Sequence, residues 1–283
     1  MSLSREQKLG GIFAASAYSL WGVAPLYFKQ IDFIPAAEIL IHRIVWSFLL
    51  LAVILTVMKQ WSSVQAVFQK PKLLAAMLGT ALLLAGNWGL FIWAVNNEQI
   101  VEASLGYYMT PLVVVCFGVL VLKEKLRFAQ KLSLSFAGVG VSILTIAFGQ
   151  LPLVAFGLAL SWGTYSLIKK RLDAGSLETL SIEMIFALIP SATYMFYLMS
   201  RNEAQYGSEL WFSLILMTSG LVTVIPLLMF NSAATSLPLT ITGLLGYINP
   251  TIMFLVGFIV FHEPLTFSKI FGFIFIWTAL ILL

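Results

Sequence analysis

Charge is scarce in this chain. Only 10% of its 283 residues are charged, against 60% that are hydrophobic, where a soluble domain carries about 25% charged residues. A surface so poor in charge cannot be wetted all round. With a mean hydropathy of +0.97, the chain belongs in a lipid bilayer. Cysteine is nearly missing as well: Cys116 stands alone, which excludes an internal disulfide and a cysteine-based metal site. The sequence has two histidines and no Gly-x-x-x-x-Gly-Lys-Ser/Thr loop, so no ATP motor resides in it and no ATPase subunit is implied. No cluster of metal ligands and no Ser–His–Asp or Cys–His set is visible. No metal or cofactor is expected, and a membrane-embedded enzyme lacks the acids and histidines it would need. The net charge of +4 is scattered through short loops, so nucleic acid is not an expected partner.

What is present is a succession of apolar runs. A spanning helix needs about 20 mostly apolar residues. Candidate spans fall at 9–29, 36–58, 72–95, 101–122, 128–148, 151–168, 178–199, 210–234, 238–261 and 266–283. The first run is long and carries Trp21 and Pro25, so it reads as a retained span and not as a cleaved signal. Lys and Arg give the orientation. With the N-terminus in the cytoplasm, the inner loops hold twelve basic residues, among them Lys123, Lys125, Arg127, Lys169, Lys170 and Arg171, while the outer loops hold three, Lys29, Arg201 and Lys269. Both termini are then cytoplasmic. The basic residue left over, Arg43, falls inside the second run.

One stretch repeats. Leu105–Phe128 and Leu244–Phe267 share Leu, Tyr, Pro, Gly, Val, Glu, Leu and Phe at eight of 24 aligned positions, where composition alone predicts roughly two. The Tyr-x-x-Pro, the following Gly (Gly118, Gly257) and the Glu-x-Leu-x-Phe exit (from Glu124 and Glu263) weigh most. Ser19–Gly22 resembles Leu160–Gly163, and Phe91 and Ala94 match Phe230 and Ala233. The expected fold is therefore all-α and integral to the membrane, with ten transmembrane helices in two five-helix repeats, residues 1–149 and 150–283. Five is odd, so the second repeat enters from the opposite face. Inverted repeats of this kind place a substrate site near the midplane.

Residues for such a site follow from what hydrocarbon tolerates. Arg43 lies about 10 Å along its span at 1.5 Å per residue, and an intramembrane Arg needs a partner or a wet cavity. Three roles are open to it: attraction of an anionic group such as a carboxylate, snorkelling outward to the interface, or a structural pair with Glu38. Glu38 and His42 share a helix face, and with Glu183, which stands where His42 stands in the first repeat, they are the candidates for proton coupling. Asn87 and Trp88 suit a cavity wall. Tyr107, Tyr108 and Thr110 precede Pro111, and Tyr247 and Asn249 precede Pro250; a Pro in a span frees a carbonyl and bends the helix. Tyr18, Trp21, Trp162 and Tyr165 form an aromatic set suited to an aromatic or amine-bearing substrate. Glu124 and Glu263 read as structural, and Gly118 and Gly257 as points of close helix contact.

The motifs EILIHRIVWS (38–47), GNWGLFIWAVNN (86–97), EASLGYYMTPL (102–112) and GYINPTIMFL (246–255) together resemble the RarD subgroup of the EamA-type drug/metabolite transporter superfamily, over nearly the whole chain. One position departs from the pattern: Thr110 stands where Asn is expected before Pro111. The resemblance implies a permease of the bacterial inner membrane that exports small metabolites or drugs, amino-acid-like or aromatic compounds among them, with chloramphenicol sensitivity a frequent label. It also implies a central cavity walled by Trp21, Asn87, Trp88, Tyr107, Tyr108, Trp162, Phe230, Tyr247 and Asn249, with Arg43 and His42 reaching it from the second span. A nucleotide-sugar or phosphate exchanger and a lipid-head-group flippase share the architecture; the exchanger would need more cavity cations than Arg43.

Overall fold

The computed structural model describes residues 4–97, 99–262 and 266–282; Glu263 lies outside them. Helices account for all regular structure among the described residues. In chain order they are α1 (Arg5–Phe28), α2 (Ala36–Val57), α3 (Trp61–Phe68), α4 (Pro71–Asn96), α5 (Ile100–Leu120), α6 (Phe128–Phe148), α7 (Leu153–Arg171), α8 (Ser176–Ser200), α9 (Leu210–Ser236), α10 (Leu239–Leu245), α11 (Ile248–Ile259) and α12 (Phe267–Ile281). Among the described residues eight segments are long and apolar enough to cross a membrane, α10 and α11 counting together as Leu239–Ile259. The 15-residue α12 is apolar but shorter, and α7, whose last turn holds Lys169, Lys170 and Arg171, is not among the eight.

Side chains are distributed inside out relative to a soluble protein. Val53, Leu82, Ile146 and Phe196 are exposed along helix flanks, while Glu38, His42, Lys169, Glu183 and Asn231 are buried. That is the arrangement a hydrocarbon solvent imposes, because an apolar flank costs nothing there and an ionised group does.

Local sequence sets the helix ends. Ser4 and Gln7 form a reciprocal capping box that opens α1, each side chain accepting the other's backbone N–H at 3.1 Å. α6 stops at Gly149, whose φ of 80° is the left-handed conformation of a helix C-cap. In the α1–α2 connection Lys29 donates to Asp32 at 2.6 Å, and that exposed bond holds the Asp32 carboxyl below its usual range. The two repeated prolines behave differently. α5 runs through Pro111, and Thr110 returns its hydroxyl to the Gly106 carbonyl at 2.7 Å. The second copy breaks at Gly246–Tyr247, and Pro250 sits in the first turn of the restarted α11, where a missing N–H leaves no bond unmade.

Packing brings α5 against α7 and α1 against α11, α1 against α9 and α4 against α7, and α2 against α9 and α4 against α8. α2 also meets α8, α5 meets α10, and α6 meets α12. Small residues allow the closest crossings. A Cβ on Gly220 of α9 would stand 2.6 Å from the Trp46 carbonyl carbon of α2, and one on Gly118 would meet Thr240 and Glu124 within 3.0 Å. Glu124 has a structural role: its carboxylate accepts the N–H groups of Leu239 (2.7 Å) and Thr240 (2.8 Å) at the start of α10, a favoured place for a negative charge. Glu102 accepts Val154 N–H at 2.6 Å at the start of α7 in the same way.

Candidate functional site

Arg43 is the eighth residue of α2, and its guanidinium crosses to the centre of the bundle. Its Nε donates to Thr223 Oγ1 of α9 at 3.1 Å. The guanidinium carbon lies 4.7 Å from the Trp88 ring centre on α4 and 5.4 Å from that of Phe28 on α1. The hydroxyls of Tyr27 and Tyr107 lie within its electrostatic reach. Among the described residues no carboxylate pairs with it. Cation–π contacts of about 0.5–2 kcal/mol each offset part of the burial cost. They leave the Nη donors free for a planar two-oxygen acceptor.

The structural pair with Glu38, one of the roles left open for Arg43, is not formed among the described residues. Glu38 turns the other way, and its Oε1 accepts the backbone N–H of Gln205 (2.7 Å) and Tyr206 (3.0 Å) in the α8–α9 connection. Tyr206 in turn stacks on His42, with ring centres 4.7 Å apart. His42 Nδ1 accepts from Trp46 Nε1 at 3.2 Å, and His42 Nε2 stands 4.0 Å from Glu38 Oε1, beyond hydrogen-bond range. Glu38 Oε2 and His42 Nε2 are buried without a partner among the described residues. Glu38 and His42 thus strap the connection down over α2. Glu38→Ala should cost about 1.5–3 kcal/mol, the range for bonds to a charged acceptor, and should speed amide exchange in the 201–209 segment. Unchanged exchange there by mass spectrometry would remove the strap.

Deeper in the bundle, rings from three helices close the centre. Phe230 of α9, fully buried, is the hub. It lies 5.1 Å from Trp162, 5.8 Å from Trp21, 6.0 Å from Tyr18 and 6.4 Å from Tyr165, and Trp21 meets Trp162 edge-on at 5.3 Å. These five rings lie beyond Arg43, toward the face at which α1 begins. Past them, at that face, sits a buried polar network. Lys169 Nζ of α7 donates to Glu183 Oε1 (2.9 Å) and Thr179 Oγ1 (2.7 Å) of α8, while Tyr165 Oη contacts Glu183 Oε2 (3.2 Å) and Asn231 Oδ1 (3.1 Å).

The other expected wall residues divide. Asn87 is committed to the Leu158 carbonyl (3.0 Å) and Ser161 (2.8 Å), tying α4 to α7. Tyr107 packs on Phe91, with ring centres 6.0 Å apart. Tyr108 and Tyr247 sit in a separate cluster with Leu105, Met109 and Ile276. The Tyr247 hydroxyl and Asn249 Oδ1 are buried without a partner among the described residues.

Lys169 requires a correction. Counted as a loop charge, it is 2% exposed and paired. Lys170 also turns inward, donating to the Thr235 (3.0 Å) and Leu237 (2.6 Å) carbonyls at the end of α9. Taking Lys169 out of the count leaves the basic bias intact. Sequence reasoning also passed over Phe28, Thr223 and Asn231. The available signal was Glu183 itself, an acid two turns into an apolar run with a lysine at the end of the preceding one.

A model of the EamA-like transporter family matches residues 8–146 and again residues 151–283. An uncharacterized transporter of Vibrio cholerae serotype O1 is 41% identical over 279 residues, 98% of this chain and 92% of that protein. Protein RarD of Escherichia coli strain K12 is 39% identical over 278 residues, covering 98% and 94%. The Chloramphenicol-sensitive protein RarD of Pseudomonas aeruginosa is 28% identical over 281 residues, covering 96% and 92%. A crystal structure 16% identical to the chain superposes with a TM-score of 0.75 over 96% of both chains, which speaks for the fold alone. The chain is a multi-pass membrane protein and belongs to the EamA-like transporter family. Within that family it falls in the RarD subgroup of the drug/metabolite transporter superfamily.

Proposed function

We propose that the chain is a secondary transporter, active or facilitative, that exports small amino-acid-like or aromatic compounds across the bacterial inner membrane by alternating access. In this reading α1, α2, α4, α5, α6, α7, α8, α9, the α10–α11 pair and α12 are ten spans, arranged as inverted repeats over residues 1–149 and 150–283, with both termini cytoplasmic. Three observations support the arrangement. The family match falls twice, once on each half. Exchanging the halves, α1 for α7, α2 for α8, α4 for α9, α5 for α10–α11 and α6 for α12, turns each major helix contact into another or into itself. Lys and Arg gather on one side. The face at which α1 begins is then cytoplasmic, and Arg43 lies on the outer side of the aromatic centre.

The observation that carries the substrate class is Arg43: a guanidinium inside the bundle, against the Trp88 ring and with no acid partner among the described residues. It suits a carboxylate whose apolar body lies on aromatic walls. Glu183 is the coupling carboxylate in this reading, since Glu38 is engaged in the outer strap.

A thermal-shift panel tests the site, with amino acids, aromatic amines, chloramphenicol and nucleotide sugars applied to wild type and Arg43→Ala. A ligand at 100 times its Kd stabilises the folded state by about 2.7 kcal/mol. A carboxylate-bearing compound should raise the wild-type Tm accordingly and leave Arg43→Ala unmoved. Equal stabilisation of both proteins would end the role of Arg43 as the anion site.

A further inference from the structure

The connection between α5 and α6 gathers Lys123, Lys125, Arg127 and Lys131 within nine residues. Residues 123–127 are not helical, and their exposure alternates. Lys123, Lys125 and Arg127 are exposed, while Glu124 and Leu126 are half-buried. Alternation of that kind puts the three basic side chains along one edge. Glu124 faces inward and clamps the stretch through the Leu239 and Thr240 N–H groups. Arg171, whose Nη2 stands 3.4 Å from the Val121 carbonyl, brings a fifth cation to the same place. Among the described residues none of the five pairs with an acid. Beside them the chain leaves large apolar side chains uncovered: Leu120 is 74% exposed and Phe128 81%, and Leu132 follows one turn into α6.

The second copy of this stretch separates what the backbone needs from what it does not. Lys123 has a φ of 56°, and His262, the matched residue 139 positions on, has a φ of 53°. Phe128 is matched by Phe267, which is equally exposed. The turn and the uncovered ring therefore occur in both copies. The charge does not: Lys123, Lys125 and Arg127 are matched by His262, Pro264 and Thr266. A left-handed turn is filled at less cost by Gly or Asn, so the backbone does not call for Lys at 123. Orientation during insertion asks for basic residues anywhere on this side of the membrane. It does not ask for three of them along one clamped edge, next to exposed apolar side chains.

We propose that this edge binds an anionic phospholipid. Lys123, Lys125 and Arg127 meet the headgroup phosphate, Lys131 and Arg171 flank it, and the acyl chains lie along Leu120, Phe128 and Leu132. Charge complementarity selects the occupant. Clusters of about four to eight basic residues immediately beside a spanning helix recognise anionic headgroups. A zwitterionic lipid offers the same phosphate but brings an ammonium to a surface that is already cationic. The surface lies outside the bundle, and its occupancy does not depend on the transporter reading.

Phosphatidylglycerol and phosphatidylcholine of equal chain length are the probes, added to the purified full chain in one neutral detergent, with bound lipids counted by native mass spectrometry. Wild type should prefer phosphatidylglycerol, and the preference should fall as ionic strength rises. Lys125→Gln should weaken phosphatidylglycerol binding roughly fivefold, the worth of one basic residue near a charged lipid surface. Lys123→Gln/Lys125→Gln/Arg127→Gln should weaken it further and leave phosphatidylcholine binding unmoved. Glu124 keeps its bonds in both variants, so their Tm without added lipid should match that of wild type. Lys59→Gln/Lys70→Gln/Lys72→Gln removes the same charge from the α2–α3 and α3–α4 connections and should leave the preference intact. Equal binding of the two lipids by wild type, or an equal loss from the two triple variants, would overturn the proposal, the second by reducing the edge to part of a general basic face.

Discussion

Lys169→Met alone should destabilise the protein by about 3–5 kcal/mol, while Lys169→Met combined with Glu183→Leu should be close to neutral. The single change strands an ionised carboxylate that is fully buried, leaving it Tyr165 as its remaining partner. The cost is that of an uncompensated charge and not the worth of the pair, so removing the charge restores what was lost. The pair is a poor device for stability, since taking two ions from water costs about as much as their attraction returns. Denaturation in a single detergent, followed by tryptophan emission on wild type, both single variants and the double, completes the cycle. A double variant as unstable as Lys169→Met would mean that the Tyr165–Asn231 contacts, and not the charges, hold the corner.

Much of the architecture was legible in advance, for a reason specific to the solvent. Hydrocarbon requires an unbroken apolar run for each crossing, so the expected span 128–148 coincides with α6 and 36–58 overshoots α2 by one residue. The short α3 was not legible, since a helix that need not cross leaves no length signature. Nor was the break at Gly246–Tyr247: the repeated Tyr-x-x-Pro suggested like behaviour in both copies, but α5 runs on through its proline.

The site was legible in its residues and not in their partnerships. Composition and depth singled out Arg43, Glu38, His42 and Glu183. Depth, however, is a local property, while a hydrogen bond is decided by whatever the fold brings opposite. Glu38 was one candidate partner for Arg43, five positions away, yet its acceptor oxygen serves an amide 167 positions away. Lys169 was misread for a related reason. A lysine near a helix end ordinarily extends its stem along apolar surface and places its ammonium among headgroups, and nothing local says whether it points to lipid or to a neighbouring acid.

Phe230→Ala should lower stability by about 3–5 kcal/mol, the range for a buried aromatic truncated to alanine. Phe230 has no exposed surface and touches four other rings, so no single neighbour can fall into the space it leaves. Phe230→Leu keeps most of the volume and should cost less, because volume-conserving apolar changes are usually held below about 1.5 kcal/mol. The comparison also reports on the barrier. In the proposed orientation these rings separate the Arg43 site from the Lys169 corner, so a hole at the hub should admit small polar molecules to Trp21 and Trp162. Acrylamide should therefore quench tryptophan emission more steeply in Phe230→Ala than in Phe230→Leu or wild type. If the alanine and leucine variants match in both Tm and quenching, the centre is loosely packed and the barrier between the two charged sites lies elsewhere. If stability falls but quenching does not rise, the rings serve cohesion and the barrier must be sought nearer the start of α1 and the end of α9, where a Cβ on Gly10 would stand 3.0–3.1 Å from Ser236 and Leu237.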